Sequence, residues 1–177
     1  SREPIIRQYD HYVRTGNYAS YYDGRHRDTP QDGLVFKPLL ESDRGFSVTH
    51  GMHPNIAAID PYHAAKASVI EALSNLISRG ADLKKTFLMD NFIHAKPDNK
   101  KDVGTLDRCV DGVCEAAKFF GTPFVSGKDS LGGTFKGKNT VIKVKPTLCV
   151  TAVGIVSDVK KSLPNHFQKS GNHLYFV

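Results

Sequence analysis

The chain has 177 residues, 40% of them hydrophobic, and 24 Lys and Arg against 18 Asp and Glu give a formal net charge of +6. That length and composition suit one domain with a packed core; with no signal-peptide pattern and no apolar run of ~18 residues, nothing argues for export or for a membrane. The basic residues are scattered among acids and form no block interleaved with aromatics, so they argue only weakly for nucleic acid, and anionic small molecules fit the positive excess as well.

Residues 1–30 are polar, tyrosine-rich and irregular, with Gln8-Tyr9-Asp10-His11 early and Arg25-His26-Arg27 late. A short helical turn and then a mobile arm are expected there, and residues 1–33 are read as a linker ahead of a domain at 34–177. Leu34 to Leu40, around Lys37, and Gly45 to His50 read as strands. Asp60-Pro61 then opens a helix, with Asp as N-cap and Pro at the first helical position. Ala65, Val69, Ala72, Leu73, Leu76 and Ile77 recur at helical spacing until Gly80 ends it. His63, in the first turn, reads as a surface histidine.

Thr86 to Met89 is a compact apolar strand that runs into Asp90-Asn91-Phe92. A carboxylate at the carboxyl end of a buried strand is where open α/β proteins place ligand contacts, although Asp90 could equally cap or turn the chain. After a polar loop, Val103, Leu106, Val110, Val113, Cys114, Ala117 and Phe120 mark a second amphipathic helix ending at Gly121. Thr122 to Val125 reads as a short buried strand that empties into a turn, Gly127-Lys128-Asp129-Ser130. There a glycine permits close backbone approach, an ammonium can meet an anion, a carboxylate can hold Mg²⁺, and a hydroxyl can donate to a polar substrate. A plain solvated turn satisfies the same residues.

Phe135 to Asn139 reads as a basic hairpin tip, Val141 to Val144 as an alternating strand, and Leu148 to Val156 as a central strand. The closing Leu174-Tyr175-Phe176-Val177 looks like a strand just beginning, which suggests a piece of a longer protein. Cys109, Cys114 and Cys149 match no CxxC spacing and are read as reduced core thiols of a cytoplasmic protein, with no zinc site. Strand and helix alternate in the manner of an α/β or α+β layer, with helices covering one face of a mixed sheet.

Three segments carry a family resemblance: Gly51 to Asp82, with Asp60-Pro61-Tyr62 and Arg79-Gly80-Ala81-Asp82 inside it; Leu88-Met89-Asp90-Asn91-Phe92; and Gly121 to Leu131. Together they resemble the second half of phosphoribosylformylglycinamidine synthase. Val35-Phe36-Lys37-Pro38 resembles that family's first strand in this half, Gln8 to His11 its preceding linker, and Pro146-Thr147 through Asp158-Val159 its closing strand.

The resemblance implies an AIR-synthase N-terminal-like domain whose sheet pairs into a barrel with a sister half. It also implies a ligase that converts formylglycinamide ribonucleotide, ATP and glutamine-derived ammonia to formylglycinamidine ribonucleotide, ADP and phosphate, with Mg²⁺. Asp90 and Gly127 then fall on nucleotide contacts, Ser130 on a substrate contact, and Lys37, less directly, on phosphate. The metal position falls on Lys128 or Asp129. Smaller members often carry Asn where this chain has Lys128, which makes Asp129 the better metal candidate. The family's catalytic Glu-Thr-His-Asn-His-Pro motif belongs to its first half and has no match here; His11, His63 and His94 do not replace it.

Ammonia is accordingly expected from a glutaminase domain or subunit, and this stretch alone is expected to pair as a homodimer. Larger members use a similar half to hold a structural nucleotide, so a nucleotide-binding or purely structural half stays open. A related synthetase, for aminoimidazole ribonucleotide or selenophosphate, is the other alternative.

Overall fold

A computed structural model describes residues 3–6, 8, 16–24 and 26–175. The elements follow in the order α1 (Glu3–Ile6), β1 (Asn17–Ala19), β2 (Tyr22–Asp23), β3 (Thr29–Pro30), β4 (Gly33–Phe36), β5 (Gly45–Gly51), α2 (Pro54–Ala57), α3 (Pro61–Ser78), β6 (Ala81–Ile93), α4 (Lys100–Phe120), β7 (Phe124–Ser130), β8 (Thr134–Lys136), β9 (Val141–Lys143), β10 (Thr147–Val156) and a 3-10 turn at Val159–Lys161. Six strands form one sheet in the order β1-β4-β5-β10-β6-β7. Its pairings are antiparallel except β6 with β7, which are parallel and joined through α4. The mixed α/β architecture with helices on one face is therefore as expected.

β10 sits at the centre because its alternation supplies two apolar rows. Leu148, Val150, Ala152 and Val156 are buried on one face, while Cys149, Thr151, Val153 and Ile155 turn to the other. The first row packs under α3, whose Ala65, Val69, Ala72, Leu73 and Leu76 are buried against it, and Cys109, Val113 and Ala116 of α4 complete the cluster. Asp60 caps α3 as its spacing predicts, its carboxylate accepting from the His63 amide at 3.1 Å, with Pro61 next. Gly121, in the left-handed region at φ 64°, closes α4. Gly51 lets the backbone of α3 approach β5, since a Cβ there would overlap the Ser68 carbonyl oxygen.

Several expectations are corrected. β6 does not stop at Met89 but runs through Asp90-Asn91-Phe92 to Ile93, because β10 and β7 hydrogen-bond to it on both sides along that stretch. The Gly127-to-Ser130 turn is instead the body of β7, an exposed edge strand; Thr122 is buried, but Val125 bulges out of the ladder and is exposed. β4 is shorter than expected and ends at Phe36. The arm is docked: β1 pairs with β4, Ala19 and Tyr22 are buried, and Gln31 accepts from buried Arg79. Tyr9, Asp10, His11 and Arg25 lie outside the described residues, as do Phe176 and Val177, while Leu174 and Tyr175 belong to no strand.

Of the thiols, Cys109 is buried and its pKa is pushed up to about 12 by burial, Cys149 is half-buried on the helix-free face, and Cys114 is exposed and not in the core. On α4, Val103 and Val110 likewise face solvent, and so does Ile77 on α3. Among the described residues no helix is long and apolar enough to cross a membrane.

Candidate functional site

The parallel pairing of β6 and β7 sets Asp90 opposite Gly127, Asn91 opposite Lys128, Phe92 opposite Asp129 and Ile93 opposite Ser130. Side chains alternate along a strand and paired residues point the same way, so the motif divides between two faces. Asp90, Gly127 and Asp129 lie on the helix-bearing face with Leu88 and Phe92. Asn91, Lys128 and Ser130 lie on the other, with Met89 and Ile93.

On the first face, the Asp90 carboxylate occupies the space a side chain at position 127 would fill; a Cβ on Gly127 would overlap both of its oxygens. Glycine is required there for room and not for its dihedral freedom. Partial burial raises the pKa of Asp90, and the charge of Asp129 raises it further, against the opposing effect of the Asp90 and Lys128 backbone amides. Two carboxylates on adjacent strands, close enough for the charge of Asp129 to raise the pKa of Asp90, form a site a divalent cation would relieve. Among the described residues no group of three or more His, Cys, Asp or Glu could hold a metal by itself. Two carboxylates nevertheless suit Mg²⁺, which binds through one or two of them together with substrate phosphates.

On the second face the Lys128 ammonium donates to the Ser130 hydroxyl. The structure does not bring Lys128 to the Asp90–Asp129 pair, and an ammonium offers no lone pair to a metal. Asn91 has a buried Oδ1 with no hydrogen-bond partner. No role for Asn91 was legible in the residues; its one signal is its place inside the Leu88-to-Phe92 motif.

Lys37 stands apart, just past the end of β4 with its Nζ 3.4 Å from Asp43 Oδ1. β4 and β6 are separated by β5 and β10, which at ~4.8 Å per strand spacing puts about 14 Å between them across the sheet. His63 Nδ1 lies 2.7 Å from Asp60 Oδ2, and this bond is the main cause of the lowered Asp60 pKa, so His63 serves the helix cap. His94 is buried just beyond β6, its amide donating to the Ser130 carbonyl at 3.0 Å.

An open mixed sheet with both long helices on one face, and polar residues gathered where its parallel pair ends, defines an α/β domain with one sheet face uncovered. The chain belongs to the family described as AIR synthase related protein, N-terminal domain, which matches residues 31–156. It is 32% identical over 178 aligned residues to phosphoribosylformylglycinamidine synthase subunit PurL of Thermoplasma volcanium, an alignment that takes in 100% of this chain and 23% of that protein. Among solved structures it is similar to Thermotoga maritima PurL complexed with ADP, at 26% identity and a TM-score of 0.69 over 92% of this chain and 24% of that one. It is similar also to the same protein complexed with FGAR, at 25% identity and a TM-score of 0.68 over 90% of this chain and 23% of that one. The chain thus spans less than a quarter of the length of these relatives.

Proposed function

We propose that this chain supplies the β6–β7 wall of the active site of a phosphoribosylformylglycinamidine synthase, the ligase that uses ATP and ammonia to turn formylglycinamide ribonucleotide into its amidine in purine biosynthesis. The observation that carries the reading is the pairing of Asp90 and Asp129 on one face of a parallel strand pair, with Gly127 bare beneath Asp90. Named relatives that bind ADP and FGAR support it.

In this reading bare Gly127 makes room for the Asp90 carboxylate, which with Asp129 would hold Mg²⁺ against the nucleotide phosphates. The metal supplies charge neutralisation for phosphoryl transfer to the substrate amide oxygen. On the opposite face, Ser130 donates to the substrate and Lys128 contributes positive charge toward its oxygens. β7 is the free edge of the sheet, so ligands on its two faces meet round one strand. Lys37 keeps a role only toward a phosphate elsewhere on the domain.

The uncovered face is where a sister half packs to close a barrel and remove sheet edges, and a glutaminase supplies ammonia in the cytoplasm. Calorimetric titration of the chain with ATP, with and without Mg²⁺, tests the site. Binding that requires Mg²⁺ is expected; equal affinity in its absence would remove Asp90 and Asp129 from the metal role. Residues 1–177 by themselves should yield no formylglycinamidine ribonucleotide, and measurable product would contradict the division of the active site between two halves.

A further inference from the structure

Asn91 is placed between two neighbours that leave its amide oxygen unanswered. Across one side of β6 it pairs with Cys149 of β10, and across the other with Lys128 of β7. Burial, and secondarily Glu71, raises the Cys149 pKa, so that residue remains a neutral thiol, a weak donor at best. The Lys128 ammonium, the strongest donor nearby, is directed along its own strand to Ser130. Asn91 Oδ1 is buried and accepts nothing. Native proteins satisfy nearly all such atoms, and an exception beside a cationic and a hydroxyl side chain calls for a donor from outside the chain.

We infer that Asn91 is a substrate-binding residue, whose side-chain carboxamide holds the amide of the substrate beside the Lys128–Ser130 pair. The chemistry of the three groups specifies the ligand. A carboxamide presents an acceptor oxygen next to a donor N–H₂, which matches another amide donor for acceptor. With its N–H accepted by Asn91 Oδ1, the substrate amide keeps its oxygen free for the Lys128 side. An ammonium there suits an oxygen that gains negative charge. Asp90 and Asp129 alternate to the other face, and the charged group paired with Asn91 on this one is the Lys128 cation. A neutral amide therefore fits it better than an amine. The inference rests on the function proposed above and adds a residue and a recognised group to it.

The test is steady-state kinetics of the full-length protein carrying this sequence, with ammonium as nitrogen source and FGAR and ATP varied separately. Asn91→Ala should raise the KM for FGAR about tenfold, the loss of roughly one hydrogen bond, while the KM for ATP stays within about twofold because the nucleotide side faces away. Removing an unsatisfied buried acceptor should leave the Tm unchanged or higher. Asn91→Thr, suited to a strand by its branched side chain, should behave alike and covers the case in which the alanine variant folds poorly. An unchanged KM for FGAR in either folded variant overturns the inference and leaves the proposed function intact. Equal rises in both KM values with a lowered Tm also overturn it, as the signature of a structural residue. A wild-type protein without FGAR-dependent turnover overturns the proposed function, and this inference with it.

Discussion

The two faces of the central sheet are built from the same strands with the same two-residue period, yet they do different things. Toward the helices, Val35, Leu88, Val150, Ala152 and Val156 are buried completely or nearly so. On the opposite face, Val48, Phe87, Met89, Ile93 and Val153 are only half-buried, and among the described residues no helix packs on them. The covered face accounts for the stability of the domain. The open face is apolar enough to need a cover and carries, at its β7 edge, the Asn91–Lys128–Ser130 group. Side-chain parity thus gives one sheet a packed face and an open one, with the polar residues of the β6–β7 edge divided between them.

The largest effect should come from breaking the covered face. Leu76 is fully buried between α3 and the sheet, and Leu76→Ala should cost about 2–5 kcal/mol in a denaturant titration. Met89→Ala, on the open face, should cost clearly less, and equal losses would erase the distinction between the faces. The open face should also drive self-association. A second copy is the nearest cover where no sister half is present, so the mass measured by light scattering should rise with concentration. Met89→Lys should hold the chain monomeric. A wild-type mass that stays monomeric at every concentration would show that this face needs no cover.

A smaller effect belongs to the site. Asp129→Asn should weaken Mg²⁺-dependent ATP binding about tenfold, the loss of one charged ligand, and calorimetry showing unchanged affinity would remove Asp129 from the metal site. The smallest effect is on pH-dependent stability. The folded pKa of Asp90 is raised above its ordinary value of 3.8, first by burial and then by Asp129. Its stabilising contribution is therefore complete below that ordinary value and is lost as the pH rises through the folded one. Asp90→Asn removes the charge, so its Tm should exceed that of the wild type at pH 7 in metal-free buffer. The gap should close near pH 3, and a gap of the same size at both pH values would mean that ionisation of Asp90 is not its cause.

Much of this was legible in the residues. The helical spacing of Ala65 to Leu76, the Asp60-Pro61 start and the Gly121 stop predict α3 and the end of α4, because a helix is written in local periodicity and caps. β10 is equally plain, since an apolar run with alternating partners has few other uses than a central strand. The motif order alone pointed to the family. What local signals misplace is the site itself. Asp90-Asn91 and Gly127 to Ser130 are polar, and polar residues with glycine read as turns wherever the backbone must satisfy itself locally. In the folded chain each stretch finds its hydrogen bonds on the neighbouring strand, so both are extended.

That pairing then decides the grouping. Residues consecutive in sequence fall on opposite faces, which brings Asp90 to Asp129 and Asn91 to Lys128 and Ser130 while leaving Lys37 beyond two intervening strands. The helices, the central strand and the choice of candidate polar groups could be read from the residues alone, because those follow from side-chain chemistry and short-range period. Which of those groups share a face emerged with the folded sheet, because strand register is set by backbone hydrogen bonds between segments about 40 residues apart.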